Sequence, residues 1–240
     1  MYHYSNTMRI ILAIVFPVFI TGLSCSNGDV KFSGQAASET INLLSDRCKC
    51  KCQHQEWLPV FMAFSGNRKS VYDAWRDKSV DDDIPAKYGH TSRLNHLRSG
   101  FIDNWTKVKK VRVELFKTNV RVMWITFNGK DTDNVNWFSK QNIQKSSFND
   151  LTPSSVYNYF SIKGDKRGNS LDRIFLINKS YAGCAQDFGW FVIADKYLAC
   201  GWERKGTKPV FLYTKNRTSR NWKTNSDTAD TMVISILLDE

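Results

Sequence analysis

Beyond Gln55 the apolar residues of this chain come in segments of strand length, divided by turn residues, and that pattern leaves room for few folds other than antiparallel β ones. Val111-Arg112-Val113-Glu114-Leu115 alternates apolar and charged residues with the period of two of a half-buried strand. Val120 to Phe127 reads as a second strand, apolar on both faces. Thr118-Asn119 joins the two, and Asn tolerates the left-handed conformation of a tight hairpin. Asn128-Gly129 ends the second strand. Further strands are predicted at Trp57 to Phe64, Tyr157 to Ile162, Arg173 to Ile177, Trp190 to Ala194, Val210 to Tyr213 and Met232 to Leu238. One helix is predicted at Ser70 to Arg76, where Ser70 is a capping residue and Val71, Ala74 and Trp75 share a face. The expected fold is mainly β: an antiparallel β-sandwich-like single domain over residues 55–240 with one or two short helices. All eight tryptophans fall in this region, at 57, 75, 105, 124, 137, 190, 202 and 222, without a fixed period. That spread favours one aromatic core over a repeat array.

The start of the chain has a different character. Met8-Arg9 precedes an apolar run, Ile10 to Ile20, interrupted by Pro17 and followed by small residues at Gly22 and Ser24. This is the layout of a secretory signal peptide over residues 1–24. The run is shorter than the ~20 residues a membrane span needs. No later segment is apolar enough to span a bilayer, so a secreted, extracellular chain without a membrane span is expected. Residues 25–54 are polar, with a helix-like patch at Ala36 to Leu44, and read as a stalk or linker carrying cysteines.

Six cysteines stand at 25, 48, 50, 52, 184 and 200. In an oxidising compartment most should be bridged. Cys184 and Cys200 are isolated from the rest and are expected to pair, adding about 3 kcal/mol through the constraint on the unfolded chain. Cys25, Cys48, Cys50 and Cys52 allow three connectivities if Cys25 survives cleavage; if it does not, one thiol is left to bridge to another chain. The run Cys48 to His54 lacks the gaps of a structural zinc site, so disulfides are expected there and no metal. Asn104, Asn178 and Asn216 each begin an N-glycosylation sequon.

The formal charge is +11, and the predicted leader contributes only Arg9 to it. Lys107, Lys109, Lys110 and Arg112 form the densest basic group. An extracellular protein of this sign suits anionic partners such as sulfated glycans or acidic matrix components. Nucleic acid fits the charge but not the compartment. Catalytic and cofactor motifs are missing: there is no G-x-S-x-G, no H-E-x-x-H and no G-x-x-x-x-G-K. A non-enzyme without cofactors is therefore expected. His90 and His96 read as loop residues, and Asp195 and Glu203 as surface or turn residues. Asp81-Asp82-Asp83 and Asp131-Thr132-Asp133-Asn134 are oxygen-rich, but neither has the spacing of a calcium loop, so both read as polar turns.

Several stretches together resemble a secreted module of marine invertebrates, corals and molluscs among them. They are Val60 to Asn67 with Ser70 to Trp75, Val113 to Phe116, Phe127 to Gly129, Asn136 to Ser139, Tyr159 to Ile162, Tyr181 to Cys184, Gly189 to Val192, Cys200 to Glu203 and Phe211 to Tyr213. Some secreted proteins of this kind belong to the organic matrix of skeletons and shells. The resemblance implies a structural, biomineral-associated protein, which the sequons would make a glycoprotein, and it carries no site residues with it. The alternative is a lectin-like module that binds glycans through exposed aromatics and polar loops. If the N-terminal cysteines serve cross-linking, replacing Cys48, Cys50 and Cys52 by Ser should leave the thermal midpoint of the domain nearly unchanged. The same variant should lose any disulfide-linked oligomer on a non-reducing gel; failure to fold would put the cluster inside the domain.

Overall fold

The alternating segment at Val111 to Leu115 is the middle of a longer strand in the computed structural model of the protein. The structure describes residues 23–26, 29–32, 56–85, 94–165, 173–196 and 199–239. The chain divides into two units, Met1–His54 and Gln55–Glu240. In the first, β1 (Leu23–Ser26) and β2 (Asp29–Phe32) form an antiparallel hairpin, with Cys25 opposite Val30. The rest of the predicted leader, the Ala36 to Leu44 patch, Cys48, Cys50, Cys52, His54 and His90 lie outside the described residues.

The second unit is a β-sandwich-like domain. Its strands are β3 (Leu58–Phe64), β4 (Leu97–Arg98), β5 (Val108–Lys117), β6 (Val120–Asn128), β7 (Ile143–Ser146), β8 (Tyr159–Ser161), β9 (Arg173–Ser180), β10 (Phe188–Ala194), β11 (Val210–Thr214), β12 (Arg220–Asn221), β13 (Ser226–Ala229) and β14 (Thr231–Leu238). Two short helices join them, α1 (Val71–Arg76) and α2 (Trp222–Asn225). The first sheet has the order β4-β3-β14-β5-β6-β7; the second runs β13-β11-β10-β9-β8, with β12 also on β10. Every described pairing between these strands is antiparallel. The last strand, β14, is thus internal to the first sheet. Phe61, Ile234, Val113 and Ile125 stand abreast across four strands, all wholly buried.

The hairpin between β5 and β6 turns at Thr118 and Asn119, both left-handed with φ of 49° and 64°. Strand β5 keeps its alternation, but its charged face is not free. Glu114 is buried between Arg112 at 2.9 Å and Arg121 at 2.7 Å, and the Arg112 guanidinium lies 4.4 Å from the centre of the Trp57 ring. Strands β9 and β10 are buried on both faces over Ile174 to Ile177 and Trp190 to Ala194, as those unbroken apolar runs require. One face meets the first sheet. The other carries a second cluster of Leu176, Val192, Leu212, Cys200, Trp202 and Trp222. Gly189 makes room for this cover: a Cβ there would stand 2.4 Å from Trp222 and 2.7 Å from the Asn178 side chain. Predicted and observed strands coincide closely, whereas β4, β7, β12 and β13 have no counterpart among the expected ones.

Six of the eight tryptophans are buried, Trp57 and Trp124 being the partly exposed exceptions. Helix α1 begins as expected, with Ser70 accepting from the Asp73 N–H, and it delivers Trp75 into the core. That ring meets Phe61 of the first sheet edge-on at 5.2 Å and Phe175 of the second at 5.8 Å. Trp105 and Trp137 arrive from loops and lie 6.4 Å and 6.2 Å from Trp75. Trp75 Nε1 donates to Asn134 O at 3.1 Å, and Trp105 Nε1 to Thr132 Oγ1 at 3.1 Å, so the acidic loop around Asp131 is a lid pinned by indole hydrogen bonds. Trp137 Nε1 is buried without a hydrogen-bond partner among the described residues. Trp137→Ala and Trp75→Ala should each cost about 3–5 kcal/mol in urea unfolding. Trp137→Phe should cost less than Trp75→Phe, because only the second leaves a formerly paired carbonyl behind.

Candidate functional site

Three places on the domain gather the residue types that chemistry needs. The first lies at the start of α1. A cleft of about 520 Å³ is lined by Lys69, Ser70, Asp73, His96 and Arg98, among others. Ser70 donates to Asp195 Oδ2 at 2.5 Å, and a serine, a histidine and an aspartate so close together invite comparison with a hydrolase. Their hydrogen bonds argue otherwise. Asp195 is buried and also accepts from the Val71 N–H at 2.8 Å, holding the helix start with its charge. Burial pushes its carboxyl above the usual range, against the bonds from Ser70 and Val71. His96 Nδ1 accepts from the Phe64 N–H at 3.1 Å, and Nε2 faces Lys69 O at 3.1 Å. Both ring nitrogens are thus spent on backbone, and His96 fastens β4's approach to the end of β3. His96 is a loop residue as expected, but it is 6% exposed and serves as a buried strut. The acidic run beside it is likewise structural: Asp82 accepts from the Arg98 N–H and Asp81 from the Gly100 N–H.

The second place is the outer cover of the second sheet. Cys184 and Cys200 are joined by a disulfide, the pairing expected from their isolation. Cys184 is exposed, whereas Cys200 is buried. Arg173, itself buried, pairs with Glu203 at 2.7 Å and donates from Nη2 to Cys200 Sγ at 3.3 Å. Its guanidinium lies 4.7 Å from the Trp202 ring and 5.0 Å from the Tyr181 ring. Burial is the largest influence and works against that charge, but the hydrogen bonds and attraction of Glu203 and Tyr181 together outweigh it and hold the guanidinium's pKa above its ordinary value. The expectation that Asp195 and Glu203 are surface or turn residues is therefore corrected: they are 3% and 0% exposed, each held by hydrogen bonds that offset its burial.

The third place is a cleft of about 390 Å³ between β6 and the turn after β11, lined by Arg121, Trp124, Ser147, Tyr213, Lys215 and Arg217, among others. Arg121 lies 6.0 Å from the centre of the Trp124 ring. Asn216 and Arg217 are both left-handed, with φ of 63° and 57°, an uncommon conformation for arginine. Arg217 Nε donates to Ser147 O at 3.2 Å, which ties the turn to the first sheet. Burial pushes the Tyr213 hydroxyl up to about 12, so it stays protonated and able to donate. Cations, one partly exposed indole face and hydroxyl groups share this cleft.

The sequons divide. Asn104 and Asn216 are exposed, but Asn178 is wholly buried. Its Nδ2 donates to Ser180 O at 3.1 Å and its Oδ1 accepts from Trp222 Nε1 at 3.0 Å, so Asn178 is corrected as a glycan site: a sugar on that nitrogen would have no room. Among the described residues no three His, Cys, Asp or Glu side chains gather as a metal site. Asp133 accepts from the Val135 and Asn136 N–H groups, as an ordinary polar turn does. Sequence reasoning singled out neither Arg121, Trp124 and Arg217 nor the Arg173–Glu203 pair. Each set joins strands far apart in the chain, and the left-handed Asn216-Arg217 turn carries no glycine to advertise it. No family model, curated protein or solved structure matches this chain.

The buried His96 sets a dependence on pH. Burial lowers its pKa below the ordinary 6.5, opposed only by the Lys69 carbonyl. Below 6.5 the unfolded chain binds a proton that the folded one refuses, so stability present above that pH is lost on acidification. Urea midpoints should fall between pH 7 and pH 5.5. In His96→Gln, less stable overall, the fall over that interval should flatten.

Proposed function

We propose that this chain is a secreted, non-enzymatic protein that takes its place in an extracellular organic matrix, of the skeletal or shell kind, by holding anionic glycans. The observation that carries the reading is the cleft at Arg121, Trp124, Lys215 and Arg217. Among the described residues no carboxylate is part of its lining, its indole can face a sugar ring, and its cations, Arg121 from its pair with Glu114 and Lys215 from beside Asp227, can meet sulfate or carboxylate groups. The formal charge of +11 adds a long-range attraction for polyanions. The resemblance to a secreted module of marine invertebrates supports the matrix setting, and the disulfide suits an oxidising compartment. A non-enzymatic role is supported by the commitment of Ser70, His96 and Asp195 to structural bonds. The same cleft favours a sulfated or uronic ligand over the neutral sugar of a general lectin.

Asn216 lies in the lining of this cleft, so a glycan attached there would occupy its mouth. Protein with Asn216→Gln should bind immobilised heparin more tightly than the glycosylated chain. Lys215→Glu with Arg217→Glu in that background should weaken binding about tenfold or more at 0.15 M salt and reduce the slope of log affinity against log salt. Trp124→Ala should weaken it even at high salt. Equal binding to neutral dextran, or no response to the charge reversals, would defeat the proposal.

A further inference from the structure

We infer that Cys184 is a thiol-exchange site, at which the domain's own disulfide opens toward an anionic thiol held in the pocket beside it. The pocket, of about 400 Å³, is lined by Cys184, Ala185, Gly201, Trp202, Lys205 and Lys223. This site lies on the cover of the second sheet and does not depend on the glycan reading.

A thiolate that attacks a disulfide must reach one sulfur and expel the other. Only Cys184 is exposed; Cys200 is 3% exposed, among Arg173, Asp187, Glu203 and Trp202. Attack therefore falls on Cys184 Sγ. A bond forms between it and the incoming sulfur, the Cys184–Cys200 bond breaks, and Cys200 leaves as the thiolate. The exchange is neutral in electrons: one disulfide and one thiol become a mixed disulfide and one thiol. The leaving sulfur already receives a hydrogen bond from Arg173 Nη2 at 3.3 Å, and Glu203 and the Trp202 ring keep that guanidinium in position. A cation beside the departing charge favours the step. Asp187 Oδ2 lies 3.8 Å from the same sulfur and accepts from it once solvent has supplied a proton.

The pocket selects the sign of the thiol. Lys205 and Lys223 are exposed in its lining, which contains no carboxylate among the described residues; Lys205 Nζ donates to Ser226 O at 2.9 Å and Ser226 Oγ at 2.8 Å and adds its charge beside the pocket. These two ammonium groups suit a thiol that carries carboxylates. The alternation of Lys49 and Lys51 with Cys48, Cys50 and Cys52 makes that cluster a poor partner here.

The test uses the oxidised full chain and glutathione, a tripeptide thiol with two carboxylates, against cysteamine, whose second group is an ammonium. Thiolate concentrations are matched, samples are quenched in acid, and adducts are located by peptide mapping. Glutathione should appear on Cys184, with Cys200 recovered as a free thiol, and about tenfold faster than cysteamine. Gly201→Phe should slow the glutathione reaction by a similar factor: a Cβ at Gly201 meets nothing within 4 Å, so the ring enters the pocket without disturbing the core. Lys223→Glu, on an exposed side chain, should erase the preference between the two thiols. An adduct on Cys200, equal rates for both thiols, an unaltered rate in Gly201→Phe, or no exchange in millimolar glutathione would each overturn the inference.

Discussion

The Trp75 ring is the contact on which the rest of the domain closes. It belongs to neither sheet, yet it touches Phe61 of one and Phe175 of the other. Two antiparallel sheets facing each other leave an open end, and aromatic volume from outside the sheets fills it here. Helix α1 is only six residues long, too short to persist by itself. Its position comes from the core at one end and Asp195 at the other. Arg98 adds a third hold: it is 2% exposed, donates from Nε to Trp75 O at 2.9 Å and makes two bonds to Asp103. Phe175 accepts a left-handed φ of 44° inside a strand, a strain that this dense packing can impose.

Much of this was legible because the relevant signals are local. Period-two alternation marks β5, the capping serine marks α1, and Thr118-Asn119 marks the hairpin. The isolation of Cys184 and Cys200 left each a single nearby partner. Strand β7, Ile143–Ser146, escaped notice because only Ile143 and, partly, Ser146 face inward, and β13, Ser226–Ala229, because it is polar in sequence though half its residues are buried. In both cases pairing to a neighbour, β6 or β11, supplies what propensity does not.

Buried polar groups were the least legible part. Nothing in the sequence separates Glu203 from a surface glutamate, because its burial depends on Arg173 arriving from a strand thirty residues earlier. Asn178 matches a glycan signal and His96 lies in a polar stretch, yet each is spent on internal hydrogen bonds. These residues fix the register of covers and loops over the sheets more than they add net stability. The cleft at Arg121 and Arg217 belongs to the same class: both sheets contribute to its walls, and it exists only once they have met.

The central place of β14 has a mechanical meaning. Leu58, the first residue of β3, pairs with Ile236 near the end of β14, so the first and last strands of the domain begin and finish side by side. Tension applied through the two ends would load the β3–β14 ladder at that edge, one hydrogen bond at a time, rather than across all its rungs together. A domain strung between two anchors in this way opens as a zipper at low force. Anchored instead by its faces or by a single end, it keeps the whole sheet in reserve.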